Sequence, residues 1–463
     1  MNGQKEVRAH YLVFFILGLL SIGIGILLCP DFTQIRAGLL HMILHPSLLS
    51  TDYMVVGQCM GASFVNAGLL VWATLLVYRW AQAKLQGLQV AALMMVFGYG
   101  FFGKNLFNVW PLVIGVMLAS RHAGRNPRED VALAFFAASL SPLVSVLAVG
   151  TPLMIHASLW ITVPISVAAG ILGGFLIGRF SAYVRRLHHG ASLYNGALSS
   201  GMVGILANFL LISVGLGHDR LLDNTFISGE NLTLGLIVFG LSLYFILAGL
   251  ILNKGFRGLH YFLGRSFSSI DFVYQFSLGK TLMNMGLVGL FCLLYVVLIP
   301  GAQLNGPVYG GLFTIVGFAA HGVTLPAMLP AAVGVSLGAF FTGGISGVLT
   351  GGDFLGPAIE KLGSRDMLVA WMFVGGFSPM TKKYGVTAAI LAGFLHSITV
   401  TNIAPLHGWM VGYNNGFSMG LIAMLFFPMI EMMSKRDYFY KIFKGFLGKE
   451  QTEQGVLEKN IPS

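Results

Sequence analysis

Apolar residues form long uninterrupted runs in this chain, and polar residues are confined to the short segments between them. Runs of about 17–25 residues, the length of a membrane-spanning helix, recur along the sequence. The clearest examples are Tyr11–Leu28, Val55–Tyr78, Val131–Gly150, Leu232–Leu252 and Leu278–Ile299. The pattern predicts an all-α polytopic membrane protein.

Composition supports the same class. The chain has 463 residues, of which 56% are hydrophobic and 10% are charged, whereas a soluble domain has about 25% charged residues. The net charge of +10 does not indicate a nucleic-acid partner, because the basic residues lie in short loops and at the C-terminus, where they favour cytoplasmic retention. Cysteine and histidine spacing matches no metal motif, so neither a metal nor a cofactor is expected.

An internal repeat runs through most of the chain. The segment LYNGALSSG at 193–201 corresponds to GYNNGFSMG at 412–420, an offset of 219 residues (413 − 194) between the two tyrosines. The same offset aligns ILGGFL at 171–176 with ILAGFL at 390–395. The predicted organisation is a cytoplasmic N-terminus at 1–9, repeat 1 at 10–215, a linker at 216–228, repeat 2 at 229–432 and a basic cytoplasmic tail at 433–463. The correspondence is weakest at 344–368.

Charge indicates that the two repeats have inverted topology. The basic residues of repeat 1 fall in three loops: Arg79 and Lys84; Arg121, Arg125 and Arg128; and Arg179, Arg185 and Arg186. The equivalent stretches of repeat 2, at 298–303, 340–347 and 398–405, contain no Lys or Arg. Because basic loops stay cytoplasmic, we expect inverted repeats of about five transmembrane helices each. The expected location is the bacterial plasma (inner) membrane, with both termini cytoplasmic.

Several segments are too short or too interrupted to span a bilayer. They are 32–46, its counterpart 256–267, and the stretch GKNLFNVWP at Gly103–Pro111. Paired helix breaks in inverted repeats are typical of the substrate sites of transporters. We therefore expect re-entrant or broken helices around a site at the membrane midplane.

The recurring Tyr-Asn pair marks the start of an apolar run in each repeat. Tyr194-Asn195 and Tyr413-Asn414 are each preceded by a histidine, His188 and His407, at the same distance. Asn is a good helix N-cap, and two helix N-termini meeting at the midplane would offer N–H groups and carboxamides to a small polar solute. The alternative is that both asparagines only cap and bridge helices.

The motif LYNGALSSGMVG resembles the Gly-Tyr-Asn-Gly-x-Leu-x-Gly motif of the urea transporter family, and GYNNGFSMG resembles its second-repeat version. FNVWPLVIG (Phe107–Gly115) and LNGPVYGGL (Leu304–Leu312) are similar to the Asn-x-Pro segments of that family. The resemblance implies inverted five-helix halves with a re-entrant segment in each, and a trimer with one pore per subunit. The chain also resembles an uncharacterised group of bacterial polytopic membrane proteins.

Two lysines distinguish this chain from a plain urea channel. Lys104 lies in the interrupted stretch with Asn105 and Asn108, and aligns with Val323, between His321 and Thr324. Lys280 lies at the start of another apolar run. Ionisable residues at membrane depth are costly and usually functional, so either lysine is a candidate anion ligand. The alternative is that both extend to the membrane surface.

Two functions follow from these patterns. The first is a channel or transporter that passes a small polar solute, urea or a related amide, between inverted repeats. The alternative is an ion-coupled transporter of a small carboxylate or other anion. An enzyme is not expected, since no acid–base or nucleophile constellation is recognisable. The candidate substrate-binding residues are Tyr194, Asn195, Tyr413, Asn414, Lys104, Asn105, Asn108, His188, His321, Thr324, His407 and Lys280.

Overall fold

The structure is a computed structural model that describes residues 2–49, 51–151, 157–217, 225–260 and 270–435. The described residues form helices joined by short turns, and strand pairing among them is limited to one isolated bridge between Asp271 and His321. The predicted fold class, an all-α polytopic membrane protein, is confirmed at this level.

The helices follow the apolar runs. The longer helices of the first half are α1 (Asn2–Leu28), α2 (Phe32–Ile43), α4 (Met60–Trp80), α5 (Gly87–Tyr99), α6 (Trp110–His122), α9 (Leu159–Leu187) and α10 (Asn195–Ser213). Those of the second half are α11 (Asn231–Asn253), α13 (Leu278–Leu298), α14 (Gly306–Phe318), α15 (Leu325–Leu349), α18 (Ser378–Ile403) and α19 (Asn414–Lys435). Shorter helices are α3 (Tyr53–Val56), α7 (Val131–Ala137), α8 (Ser141–Ser145), α12 (Phe272–Phe276), α16 (Leu355–Gly363) and α17 (Arg365–Phe373).

Nine segments of the described chain are long and apolar enough to cross a membrane. They are Val7–Leu28, Met60–Trp80, Pro127–Gly150, Leu159–Val184, Asn195–Ser213, Asn231–Asn253, Leu278–Leu298, Leu325–Leu349 and Arg365–His407. Large apolar side chains point outward from several of these helices, including Leu27, Trp160 and Leu349, which are 80% or more exposed. An apolar outer surface is expected where helices face lipid, so these segments are candidate membrane spans.

The run Val131–Gly150 is predicted as one helix, but it is interrupted. Helix α7 is followed by a 3-10 turn at Ala138–Leu140, then by α8 and a π-helical turn at Val146–Gly150. Pro142 lies in the first turn of α8, where it cannot donate the hydrogen bond that would continue α7. The second half has the same order of elements, since α17 is followed by a 3-10 turn at Val374–Phe377 and by Ser378-Pro379 at the start of α18.

Two short and largely buried helices form the centre of the molecule. Helices α5 and α14 have 13 residues each, which gives a length of about 20 Å, less than the ~30 Å of a bilayer core. They pack antiparallel along their whole length, and a Cβ on Gly317 of α14 would lie 2.6 Å from the Cβ of Met94 on α5. The close approach therefore requires glycine at that position.

A carboxylate holds the N-terminus of each central helix. Asp52 Oδ1 accepts hydrogen bonds from Met54 N at 2.9 Å and Gly306 N at 3.2 Å. Asp271 accepts from Tyr274 N at 2.9 Å and Gly87 N at 2.8 Å. Both aspartates are therefore helix caps. Burial raises the pKa of the Asp52 carboxyl to about 6.

The same contacts recur at equivalent positions of the two halves. Gly87 and Gly306, like Asp52 and Asp271, are 219 residues apart. Tyr53 N donates to Phe101 O at 3.0 Å, and Phe272 N donates to Ala320 O at 3.1 Å, again with offsets of 219. The two aspartate contacts connect the halves, because the aspartate of each half caps the central helix of the other.

The offset changes in one region. Gly412 N donates to Ser139 O at 2.7 Å, and Leu193 N donates to Gly376 O at 3.0 Å. Positions 193 and 412 differ by 219, whereas 139 and 376 differ by 237. The second half therefore has 18 more residues than the first (237 − 219) ahead of Gly376. These residues lie in the stretch where the sequence correspondence is weak. At an offset of 237 Arg128 lies opposite Arg365, whereas an offset of 219 places it opposite Gly347. The pairing of Arg121 and Arg125 with uncharged positions stays a prediction.

Candidate functional site

The segment between α5 and α6 carries Lys104 on an irregular backbone. The chain leaves α5 at Tyr99 and turns at Gly103, whose φ of 84° is in the left-handed region that favours glycine. Asn66, on α4, donates from Nδ2 to Gly100 O at 2.7 Å and to Lys104 O at 2.9 Å. These two hydrogen bonds satisfy carbonyls that the end of α5 leaves without helical partners.

The Lys104 ammonium is enclosed by tyrosines. The side chain is 1% exposed, and Nζ donates a hydrogen bond to the hydroxyl of Tyr413. Nζ also lies 4.3 Å from the ring centroid of Tyr413 and 5.1 Å from that of Tyr99. Both distances are within the range of cation–π attraction. The rings thus favour the charged form, whereas complete burial lowers the pKa of the Lys104 amine well below its usual range.

No carboxylate forms an ion pair with Lys104 within the described ranges. Burying an unpaired charge costs far more free energy than a hydrogen bond to a hydroxyl returns. A fully enclosed lysine without a counter-charge is therefore poorly explained as a packing residue. It is also too deeply buried to extend to the membrane surface, which was the alternative that the sequence left open.

A narrow crevice adjoins the ammonium. The accessible surface of the crevice is apolar, and the residues around it include Lys104, Tyr99, Gly412 and the serines Ser47, Ser139 and Ser141. The Ser139 hydroxyl is buried and has no hydrogen-bond partner among the described residues, although buried polar groups are normally paired. In this conformation the crevice is too narrow to admit a water molecule. Binding of a solute therefore requires the crevice to open.

Tyr99 and Gly412 connect the crevice to the start of α19. The Tyr99 hydroxyl donates to Gly412 O at 2.8 Å, and the Tyr99 and Tyr413 rings are 4.6 Å apart. Gly412 N in turn donates to Ser139 O. Movement of the Tyr413 segment would therefore change the surroundings of Lys104 directly.

Asn105 and Asn108 hold the break in place. Asn105 Nδ2 donates to Met42 O at 2.9 Å and to the Tyr53 hydroxyl at 3.0 Å. Asn108 Nδ2 donates to Gly103 O and to the Ser145 hydroxyl, both at 2.9 Å. Their carbonyl oxygens accept from neighbouring backbone N–H groups. Both carboxamides are thus occupied by the protein and position Lys104.

Tyr194 lies in a second cluster, away from Lys104. Its hydroxyl donates to Phe373 O at 3.0 Å, and its ring lies 4.7 Å from that of Phe318. Asn284 donates there to Ala319 O at 2.8 Å and to Val323 O at 2.9 Å. The hydrogen bonds from Asn284 to two backbone carbonyls match those from Asn66, and we call this shared arrangement the framework. In this cluster Phe318 and Val323 replace Tyr99 and Lys104.

The two Tyr-Asn asparagines differ in their contacts. Helices α10 and α19 begin at Asn195 and Asn414, as the sequence predicts. Asn414 Oδ1 lies 2.9 Å from His407 Nε2, and its Nδ2 donates to Val400 O at 2.9 Å. Asn414 therefore bridges helices, which was the alternative to solute binding. Asn195 Oδ1 is buried and accepts no hydrogen bond from the described residues.

The remaining candidates lie elsewhere. His188 is buried at the end of α9, outside the crevice lining. Lys280 is half-buried and packs against the turn at Gly258. His321 pairs with Asp271 through the isolated bridge, and Thr324 is buried at the start of α15, next to Val323. The structure thus gathers Lys104, Asn105, Asn108 and Tyr413 and leaves the others apart.

Sequence reasoning missed Tyr99, Ser139 and Asn66. The sequence did contain evidence for Asn66, because Asn66 and Asn284 occupy the matching segments GASFVNAGLL and GKTLMNMGLV. The sequence contained no such evidence for Tyr99, because its counterpart is Phe318 and buried aromatic residues are common in a helical core. Ser139 is brought to the crevice by the interruption between α7 and α8, which the apolar pattern did not reveal.

Comparison with known families gives one match. Residues 32–213 and 253–432 match the family described as "Protein of unknown function (DUF1576)". No curated protein matches the chain, and no solved structure does either. The two matched segments together cover most of the sequence, and therefore this chain belongs to the DUF1576 family.

Proposed function

We propose that the protein is a membrane transporter of a small organic anion and that Lys104 is its anion-binding cation. The observation that carries the proposal is the enclosed Lys104 ammonium without a carboxylate partner in the described part of the chain. A carboxylate entering the crevice would supply the missing counter-charge. The Ser139 and Tyr413 hydroxyls would then donate hydrogen bonds to its oxygens.

The same arrangement favours coupling to protons. An ammonium and a carboxylate neutralise each other, so the loaded site carries no net charge across the apolar core. Once the anion leaves, the enclosed cation is again uncompensated, and release of a proton with the anion removes that cost. We propose that anion and proton move together.

A neutral solute is the second candidate. The resemblance of the Tyr-Asn motifs to urea transporters led to a channel for urea or a related amide. The unpaired Ser139 hydroxyl and Asn195 carbonyl oxygen are compatible with such a solute. A neutral amide leaves the Lys104 charge without a counter-ion, which is why the anion is preferred.

We also propose that the halves are inverted repeats, with about five crossings each, re-entrant segments at α5 and α14, and both termini cytoplasmic. Three observations support this: the reciprocal Asp52 and Asp271 caps, the antiparallel central helices, and a family match whose two segments end 219 residues apart, at 213 and 432. The Arg79 and Arg179 loops still face uncharged counterparts.

Labelling tests the topology. Gln82 and Gly301 lie in exposed turns 219 residues apart. Single cysteines at these positions, in a background without the natural cysteines, should react with a membrane-impermeant thiol reagent from opposite faces. Labelling of both from one face would contradict the inverted arrangement.

Uptake into proteoliposomes tests the transport proposal. Labelled acetate, lactate, succinate and urea would be offered to reconstituted wild-type protein, with and without an imposed pH gradient. We expect accumulation of at least one carboxylate that follows the gradient. Equilibration of urea alone, independent of the gradient, would support the neutral-solute channel instead.

A further inference from the structure

A large groove opens between α1 and α4 and shares no lining residue with the crevice at Lys104. Its volume is about 1280 Å³, and Val273 and Tyr274 contribute to its lining. The remaining lining residues come from α1, from the C-terminal half of α4 and from the turn that follows it, and they include Arg8, Tyr11, Phe15, Trp72, Arg79 and Lys84. We call it the α1–α4 groove.

Charge and apolar surface are separated along the groove. Arg8 on α1 and Arg79 on α4 each lie seven residues from an aromatic residue of the same helix, Phe15 and Trp72. Seven helical residues span about 10 Å. The two rings stack at a centroid distance of 5.1 Å. The groove therefore has a basic end and, about two turns away, an aromatic and aliphatic end.

The basic end carries cations that are free to bind an anion. Arg8, Arg79 and Lys84 are exposed, and none of them forms an ion pair with a described residue. The lining includes no acidic side chain. Asp271, three residues before the lining residue Tyr274, is occupied by the N–H groups of Gly87 and Tyr274.

The apolar end faces outward. Leu12, Phe15 and Leu76 are 56%, 47% and 71% exposed, and they lie on two of the candidate membrane spans. Tyr11, which is half-buried, fixes the shape of the groove by donating to Ala83 O at 2.8 Å. Outward-facing apolar residues below a cluster of cations match the shape of an amphiphile whose charged group is at the membrane surface.

We infer that the α1–α4 groove binds an anionic phospholipid. The phosphate lies between Arg8, Arg79 and Lys84, and an acyl chain lies along Phe15, Trp72 and Leu76. Basic pockets between transmembrane helices at the membrane surface recognise lipid head groups in this way. The inference is independent of the transport proposal, since no residue of the groove belongs to the Lys104 site.

Native mass spectrometry of the purified, detergent-solubilised full chain tests the inference. Dioleoylphosphatidylglycerol and dioleoylphosphatidylcholine would be titrated against wild-type protein, together with free glycerol 1-phosphate. We expect a bound molecule of the anionic lipid at concentrations where the zwitterionic lipid does not bind. Equal binding of the two lipids, or equally tight binding of glycerol phosphate alone, would overturn the proposal.

A charge variant locates the site. In the double variant Arg79→Gln/Lys84→Gln the affinity for phosphatidylglycerol should fall about 25-fold, because each cation contributes roughly a factor of five. The matched control is Lys254→Gln/Arg257→Gln, which removes two exposed cations outside the groove and should leave the affinity unchanged. Equal loss in both variants would indicate general attraction to basic protein and would overturn the site. Melting temperatures of all three proteins show whether each variant is folded.

Discussion

The regions around Lys104 and Val323 share one framework but differ in polarity. Asn66 holds the backbone of the first region through two carbonyls, and Asn284 holds the second through the equivalent two. The distances agree within 0.1 Å: 2.7 and 2.9 Å against 2.8 and 2.9 Å. In the second region Val323 occupies the position equivalent to Lys104, so the same hydrogen bonds form without a lysine.

The aromatic contacts match as well. Tyr99 packs on Tyr413 at 4.6 Å, and Phe318 packs on Tyr194 at 4.7 Å. The first pair has a hydroxyl on both rings, the second on one. Because the framework closes equally well with apolar side chains, the polar groups near Lys104 are not required for folding. The difference indicates that they serve function, at a cost in stability.

The largest effect is expected from placing a lysine in the apolar region. Val323 is fully buried, so Val323→Lys should destabilise the protein by about 3–5 kcal/mol or prevent insertion, because it buries an uncompensated charge. Val323→Leu is the control for size and should cost less, about 1–3 kcal/mol. The yield of monodisperse protein and its melting temperature measure both effects. A normally stable Val323→Lys variant would show that this framework tolerates a lysine in either half.

The shared framework predicts equal losses from its two asparagines. Asn66→Leu and Asn284→Leu each leave two buried carbonyls without a donor, at about 1–3 kcal/mol each before relaxation. We therefore expect losses of about 2–4 kcal/mol that agree between the variants, measured by thermal unfolding in detergent. A loss confined to Asn66→Leu would tie that residue to Lys104 rather than to the framework.

The Tyr-Asn asparagines should differ. Asn414→Ala breaks contacts to His407 and Val400 and should cost about 1–3 kcal/mol. Asn195 Oδ1 has no partner among the described residues, so Asn195→Ala should change stability by less than about 0.5 kcal/mol. Melting temperatures of the two variants measure this difference in stability. Equal destabilisation would show that Asn195 bridges helices as Asn414 does.

The tyrosine hydroxyls should each make a small contribution to stability. Tyr413→Phe and Tyr194→Phe each remove one buried hydrogen bond, worth about 0.5–1.5 kcal/mol. Only Tyr413 contacts Lys104, so only Tyr413→Phe should also reduce carboxylate uptake. Transport and melting temperature would be measured on the same preparations. Reduced uptake in Tyr194→Phe alone would move the site to the Val323 region.

Sequence alone predicted the helical spans, the start of α10 and α19, and the break at Gly103–Pro111, because each follows from apolar runs or from Gly, Asn and Pro. It also placed Lys104 in that break. The sequence could not show that Tyr413 contacts Lys104 whereas Tyr194 does not. Both tyrosines belong to the same Tyr-Asn pair, and residues distant in the sequence determine what surrounds each of them. The sequence also could not locate Ser139, which reaches the crevice only through an interruption inside an apolar run.

Uptake by Lys104→Met tests the central claim most directly. The variant keeps the apolar stem and removes the charge, and Lys280→Met is its matched control because Lys280 lies outside the crevice. The account predicts that Lys104→Met abolishes carboxylate uptake while its melting temperature stays the same or rises, since an unpaired buried charge is removed. Lys280→Met should transport normally. Full carboxylate uptake by a folded Lys104→Met protein would contradict the role of Lys104 as the anion-binding cation.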